Sequence, residues 1–320
     1  MESPKTLQEA ILFFANPDNC IAYMVTQRWP DGVVICPTCG RNDVSWLANQ
    51  KKWQCKSKHI KRQFTAKVGT IFEDSPLGLD KWLMATWMLT NCKNGVSSYE
   101  VARDLGITQK SAWFMLHRIR VAMGDTEGGK LGGNGPVECD ETFVGGKVKN
   151  MHKSKRIKGL NYSAGNGKTI VMGMLERGGK VRAGVIKDRK SPTMKPALHN
   201  NVEAGAHLIT DEHSTYPFIA GPYLHEVINH IDGYVRGHIH TNGIENFWSC
   251  LKRGLNGTYI SVEPFHLHRY LDEQTFRYNN RATKDNPLND ADRFTYAMTQ
   301  IVGRRLTYAE LTGKGEETAF

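Results

Sequence analysis

The chain has 320 residues, 40% of them hydrophobic and 23% charged. That balance excludes a disordered polymer and allows one large domain with small ones, or two to three domains. Its net charge of +10 favours an anionic partner, of which nucleic acid is the commonest.

No apolar run reaches the ~18–20 residues of a membrane span, and MESPKTLQEA shows no secretory leader. Three of the seven cysteines are clustered, whereas Cys20, Cys92, Cys139 and Cys250 are scattered. An odd count without a framework points to a reducing cytoplasm.

Residues 7–27 read as two helices broken at Asn16-Pro17, RWPDG as a turn, and Val33, Val34 and Ile35 as a short strand. The knuckle CPTCG follows. A Cys-x-x-Cys-Gly turn lets two thiolates grip one zinc ion, and a tetrahedral site needs two further ligands. Cys55, with His59 four residues on, supplies them. The predicted site is therefore Cys36, Cys39, Cys55 and His59, with Trp46 and Trp53 in the short strands of a zinc ribbon. The basic residues from Lys51 to Lys67 are either phosphate contacts or a solvated charge run.

Leu79 to Asn91 is predicted to be a helix. Residues 95–123 hold two more, with Ser97 and Glu100 as a capping box, a break at Gly106 and Thr108 as the next cap. Helix, tight turn and helix form the helix-turn-helix pattern, whose second helix enters the major groove by its N-terminal residues. Here those are Thr108, Gln109, Lys110 and Trp113, with His117, Arg118 and Arg120 placed to meet phosphates. A structural helical hairpin is the alternative. Residues 124–136 contain six glycines and read as a linker.

VECDETFVGGK opens with a strand carrying Asp140, and the basic, glycine-rich insertion over residues 147–168 reads either as a mobile loop over nucleic acid or as a disordered, solvated excursion. Strands at 169–175 and 180–186 form a hairpin around Arg177-Gly178-Gly179. A helix covers 192–202, a buried strand at 206–210 ends at Asp211, and another strand covers 224–228. From Thr241 a helix places Ile244, Phe247, Trp248, Leu251 and Leu255 on one apolar stripe. Glu245 and Lys252, nearly two turns apart, point the same way at its border. Two Asp at the ends of adjacent strands and a Glu on a crossing helix can hold two divalent ions for in-line phosphoryl displacement, and oxygen ligands suit Mg²⁺ or Mn²⁺.

By pattern the chain divides into N-terminal helices and zinc ribbon (1–74), a helix-turn-helix region (75–123), a glycine-rich linker (124–135), an α/β domain (136–285) and a C-terminal tail (286–320).

RWPDG with CPTCG, KRQFTAKVGTIFEDSPLGLDKW, AWFMLHRIR, VECDETFVGG, LITDEHSTY, HTNGIENFWSCLKRGLNGTYI and RYLDEQTFRYNNR together resemble a bacterial insertion-sequence transposase. The resemblance runs from about residue 7 to about residue 282. It implies a multidomain α/β protein: a zinc ribbon and helix-turn-helix followed by a ribonuclease-H-like DDE catalytic domain. Asp140, Asp211 and Glu245 are then the catalytic carboxylates, and Lys252 contacts DNA near the cleaved bond. Some relatives place Asn in the third position, and Asn242 lies one turn before Glu245. Arg253 and the loop from 149 to 168 are candidates for backbone contacts. The implied activity is metal-dependent cleavage at terminal inverted repeats and strand transfer into target DNA, by a homo-oligomer on nucleoid DNA. Two rivals are a ribonuclease-H-like nuclease without strand transfer and a non-catalytic DNA-binding regulator descended from a transposase.

Overall fold

The structure, a computed structural model, describes residues 4–125, 128–146, 167–228, 239–284 and 286–314. All but the last two residues of the basic insertion at 147–168 lie outside that set. Two compact units are present: Met1–Gly124 together with Asn280–Phe320, and Asp125–Asn279.

In the first unit, α1 (Leu7–Phe14) is capped by Thr6, whose side chain accepts from the Glu9 N–H. Asn16 caps α2 (Pro17–Arg28) in the same way through the Asp18 N–H, and proline is pre-organised at the first helical turn. The ribbon is an antiparallel sheet of β1 (Val44–Leu47), β2 (Lys52–Cys55) and β3 (Gln63–Phe64), in that order. Trp46 stands opposite Trp53, with ring centroids 4.6 Å apart. Residues 33–35, expected as a strand, are not one. Val33 donates its N–H to the Asp31 carboxylate instead, and Val33 and Ile35 are exposed. β-propensity without a partner strand gives no ladder.

The helices α3 (Leu79–Asn91), α4 (Ser98–Leu105) and α5 (Gln109–Met123) follow. Ser97 and Glu100 make the reciprocal capping box, and Gly106 takes the left-handed conformation (φ 60°) that ends α4. Thr108 caps α5 by accepting from the Ser111 N–H.

The second unit is built on five strands: β4 (Val137–Val144), β5 (Thr169–Glu176), β6 (Val181–Ile186), β7 (His207–Thr210) and β8 (Leu224–Val227). Their order is β6-β5-β4-β7-β8. β4–β5 and β5–β6 are antiparallel, whereas β4–β7 and β7–β8 are parallel. This is the ribonuclease-H-like arrangement expected from the sequence.

Strand alternation gives β4 two different faces. Val137 and Cys139 join Met194, Leu198 and Tyr216, from α6 (Ser191–Asn201) and α7 (Tyr216–Ile219), in one core. On the other side Val171 and Leu175 of β5 pack with Ile244, Trp248, Leu251 and Leu271, from α8 (Asn242–Gly254) and α9 (Leu267–Asn279).

Part of the glycine-rich stretch expected as a linker belongs to this unit. The Leu131 N–H donates to the Asn201 carbonyl at 2.8 Å, and the N–H groups of Gly132 and Asn134 both donate to one oxygen of Glu176.

After α9 the chain returns to the first unit. Residues 286–320, read as a tail, hold α10 (Asp290–Thr299) and α11 (Tyr308–Leu311). Ile71 donates its N–H to the Ile301 carbonyl, and Phe294 of α10 is 2% exposed. Its ring packs against Phe14, Tyr23 and Trp87 at centroid distances of 5.7, 5.5 and 5.1 Å. The local sequence is polar because only one side of a short helix is buried.

Truncating a buried aromatic costs about 3–5 kcal/mol, so Phe294→Ala should destabilise the first unit by that amount in urea unfolding followed by tryptophan fluorescence. A loss below ~1 kcal/mol would show that α10 is peripheral to this core.

Candidate active site and metal centres

Cys36, Cys39, Cys55 and His59 come together as the sequence predicts, with one ligand atom from each lying within 4.8 Å of all the others. The Cys36 sulfur is 3.5 Å from His59 Nε2, and the Cys39 and Cys55 sulfurs are 3.6 Å apart. Two ligands held ~2.3 Å from a tetrahedral ion lie ~3.8 Å apart, so the spacing fits zinc. The His59 Nδ1–H donates to the Ile60 carbonyl at 2.7 Å, which leaves Nε2 as the metal-facing atom. Burial alone would raise the Cys55 thiol, but hydrogen bonds with His59 and Ser57 outweigh it and bring it down to about 6. A thiolate at neutral pH is the form that binds metal. The chain thus carries a Cys₃His group suited to structural Zn²⁺.

Asp140 is the fourth residue of β4, and the last parallel pair between β4 and β7 is Cys139 with Thr210. One step further along both strands reaches Asp140 and Asp211. Asp140 Oδ1 accepts from the Glu141 N–H at 2.8 Å, and Oδ2 accepts from the Trp248 indole N–H at 2.9 Å. Asp211 accepts from the His213 N–H at 3.0 Å. Glu245, in the first turn of α8, is exposed and accepts from the Thr241 hydroxyl at 3.0 Å.

Burial raises the Asp140 carboxyl to about 6, and the charges of Asp211 and Glu245 add to the shift. Asp140 thus feels the charges of the other two carboxylates, although the three do not form a cluster as tight as the zinc ligands. Among the described residues none of the three is ion-paired with Lys or Arg. A group of acidic side chains without an internal cation has the donor chemistry that a divalent ion satisfies.

Two residues of this site were not singled out as such from sequence. Trp248 was read only as part of an apolar stripe, yet its indole also orients Asp140. Its ring can approach because Gly173, the cross-strand partner of Asp140, has no side chain; a Cβ there would lie 2.6 Å from the Trp248 ring. Glu138, two residues before Asp140 and on the same strand face, is 0% exposed. It accepts from the Ile244 N–H at 2.9 Å and pairs with Arg177 at 2.6 Å. The available signals were the strand alternation that puts Glu138 on the Asp140 face and the need of a buried indole N–H for an acceptor.

Asn242 is the first residue of α8 and is exposed, as are Lys252 and Arg253 on the helix's last turns.

In the first unit Gln109 donates to the Ser98 hydroxyl at 2.8 Å. Exposed Lys110 lies 4.9 Å from the Tyr308 ring centroid, and Trp113 meets His117 edge-on. Arg118, expected to meet phosphate, is 4% exposed. Its guanidinium donates to the Glu73 carbonyl and lies over the rings of Trp82 and Phe114, so it braces α5 from within. Arg120 is buried as well.

Residues 131–279 match the ISXO2-like transposase domain, nearly the bounds of the second unit, and residues 15–57 match a transposase zinc-ribbon domain. The latter includes the three cysteine ligands and stops short of His59. An uncharacterized protein in transposable element ISH50 of Halobacterium salinarum is 27% identical over 243 residues, spanning 72% of this chain and 80% of that protein. Among the described residues no helix is long and apolar enough to cross a membrane.

Purified protein should carry about one zinc ion per chain. Cys39→Ser should lose it in metal analysis and shift the Trp46 and Trp53 emission to the red; full zinc content in Cys39→Ser would exclude this ligand set.

Asp140 gives a pH signature in metal-free protein. Its folded value, about 6, lies above the usual 3.8, so its favourable contribution is complete below pH ~4 and is lost as pH rises through ~6. Asp140→Asn should therefore stabilise the metal-free protein by about 2–3 kcal/mol at pH 7.5 and little at pH 4. Equal effects at both pH values in urea melts would refute the strained carboxylate.

Proposed function

We propose, from the premise that the chain belongs to the insertion-sequence transposases with a zinc ribbon and an ISXO2-like domain, that it cuts and joins DNA through Asp140, Asp211 and Glu245. The observation that supports this reading most is the action of the Asp211 and Glu245 charges on Asp140, with no Lys or Arg ion-paired to any of the three among the described residues. They would hold Mg²⁺ or Mn²⁺. Such ions, when bound, stabilise the charge on attacking and leaving oxygens of an in-line displacement at phosphorus.

The chain's own groups do the rest. Trp248 fixes the orientation of Asp140 by its N–H, and Glu138 with Arg177 fixes the start of the helix that carries Glu245. Water attacks the phosphodiester at the element's end, the bond to the 3′ oxygen breaks, and a 3′-OH is freed. That hydroxyl then attacks a target phosphodiester and displaces the target's own 3′ oxygen. No protein nucleophile takes part.

Glu245 is the third ligand in this reading; a charged carboxylate holds a divalent cation better than the Asn242 amide. Lys252 and Arg253 contact the DNA backbone near the cut. Gln109, Lys110 and Trp113, at the start of α5, together with the zinc ribbon, bind the terminal inverted repeats. Two ends must be handled together, so the active form is a homo-oligomer on nucleoid DNA in the cytoplasm.

The test is strand transfer in vitro with cloned element ends, a target plasmid and Mg²⁺. Wild type should yield joined product. Asp140→Asn should lose at least ~10³-fold in product while still retarding end DNA. Cleavage without joining would replace the reading by a nuclease, and joined product from Asp140→Asn would remove Asp140 from the chemistry.

A further inference from the structure

The turn between β6 and α6 is basic, with Lys187, Arg189 and Lys190 around Asp188. Arg189 is partly buried, yet its guanidinium makes no ion pair or hydrogen bond among the described residues. It rests instead on the Phe143 ring, 5.1 Å from the centroid. Phe143 lies on β4 three residues after Asp140. The turn is fastened to the segment that begins at Asp211, since the Thr215 hydroxyl donates to the Arg189 carbonyl at 2.8 Å.

The charge of Arg189 is felt on both sides of this junction. Burial raises Glu141 to about 7 and the charges of Asp211 and Asp140 add to that, while Arg189 opposes them. Burial lowers His213, and Arg189 lowers it further. Arg189 thus acts on Glu141, the neighbour of Asp140 in the chain, and on His213, two residues after Asp211. With no partner for it among the described residues, the planar fork of the guanidinium matches the oxygens of a phosphate.

We propose that Arg189 binds a backbone phosphate of the DNA next to the phosphodiester being cut, on the face of β4 opposite α8. The face follows from alternation: Phe143 and Glu141 share the side of Cys139 and Tyr216, whereas Asp140 shares the side of Trp248. Lys252 on α8 and Arg189 would then hold the backbone on either side of the carboxylates. The choice of DNA as the anion rests on the transposase reading.

The experiment is anisotropy of a fluorescein-labelled, mixed-sequence 30-base-pair duplex with full-length protein, Ca²⁺ replacing the catalytic ion, across a NaCl series. Each phosphate neutralised contributes about 0.9 to the slope of log K against log salt. Arg189→Ala should lower the slope by about 0.9 and Arg189→Lys should restore it. A purely structural role would not be rescued as a change in salt slope.

An unchanged slope in Arg189→Ala with a wild-type circular dichroism spectrum overturns the proposal. Should Arg189→Ala fail to fold, Arg189→Gln is read in its place by the same criterion. The two readings fail separately. Joined product from wild type with an unchanged slope removes only the Arg189 contact; a lowered slope with no cleavage or joining by wild type removes only the transposase reading.

Discussion

Helix α8 carries Glu245, and its seat on the sheet decides whether that side chain meets Asp140 and Asp211. Buried polar contacts hold it at two levels. At its start the Glu138 carboxylate accepts the Ile244 N–H and pairs with Arg177, whose guanidinium also donates to the His240 carbonyl at 2.7 Å. One turn further on, the Trp248 ring lies against Gly173 while its N–H reaches Asp140. Removing one partner of a buried pair typically costs 3–5 kcal/mol, about what truncating a large buried hydrophobic side chain to alanine costs. Arg177 sits at the turn joining β5 to β6, so the hairpin and the helix start are mechanically one piece.

The same strand therefore carries two carboxylates on one face with opposite fates. Glu138 is deep, and its charge is answered by Arg177 and a helix N–H. Asp140, two residues nearer the end of the strand, is answered by an indole and a backbone N–H but faces two further carboxylates. Glu138 ends up paired, whereas Asp140 has no ion-pair partner among the described residues. The cost of that arrangement is tolerable because the rest of α8 buries Ile244, Phe247, Trp248 and Leu251, each contributing roughly 1.5–3 kcal/mol.

What could be read from sequence was whatever is encoded locally. The break at Asn16-Pro17, the caps at Ser97 and Thr108 and the hairpin at Gly178 each depend on a few neighbouring residues, and all were legible. So was the zinc group, because cysteine pairs at knuckle spacing have few other uses. Asp140, Asp211 and Glu245 were singled out from their order along the chain and from family resemblance. Non-local partners were not. Arg118 looks like a phosphate ligand until α3 supplies Trp82 and the segment before it the Glu73 carbonyl. Glu138 looks like a surface acid until Arg177, far along the chain, folds beside it. The strand expected at 33–35 failed for the same reason, since nothing pairs with it.

The first unit shows how far chain order can mislead about architecture. The chain leaves it at Gly124 and re-enters at Asn280, so the segment that looked like a polar tail completes the unit begun by the zinc ribbon. Tyr308 stacks on Lys110 and meets Phe114 edge-on at 5.5 Å, while the Arg304 guanidinium donates to the Val121 carbonyl near the other end of α5. With Arg118, Ile119 and Arg120 buried as well, α5 offers mainly its first turn to a partner. In a helix-turn-helix that end is the one that reaches base edges. The C-terminal segment thus covers the middle of α5 and leaves its start at the surface, with exposed Lys110 lying over the Tyr308 ring.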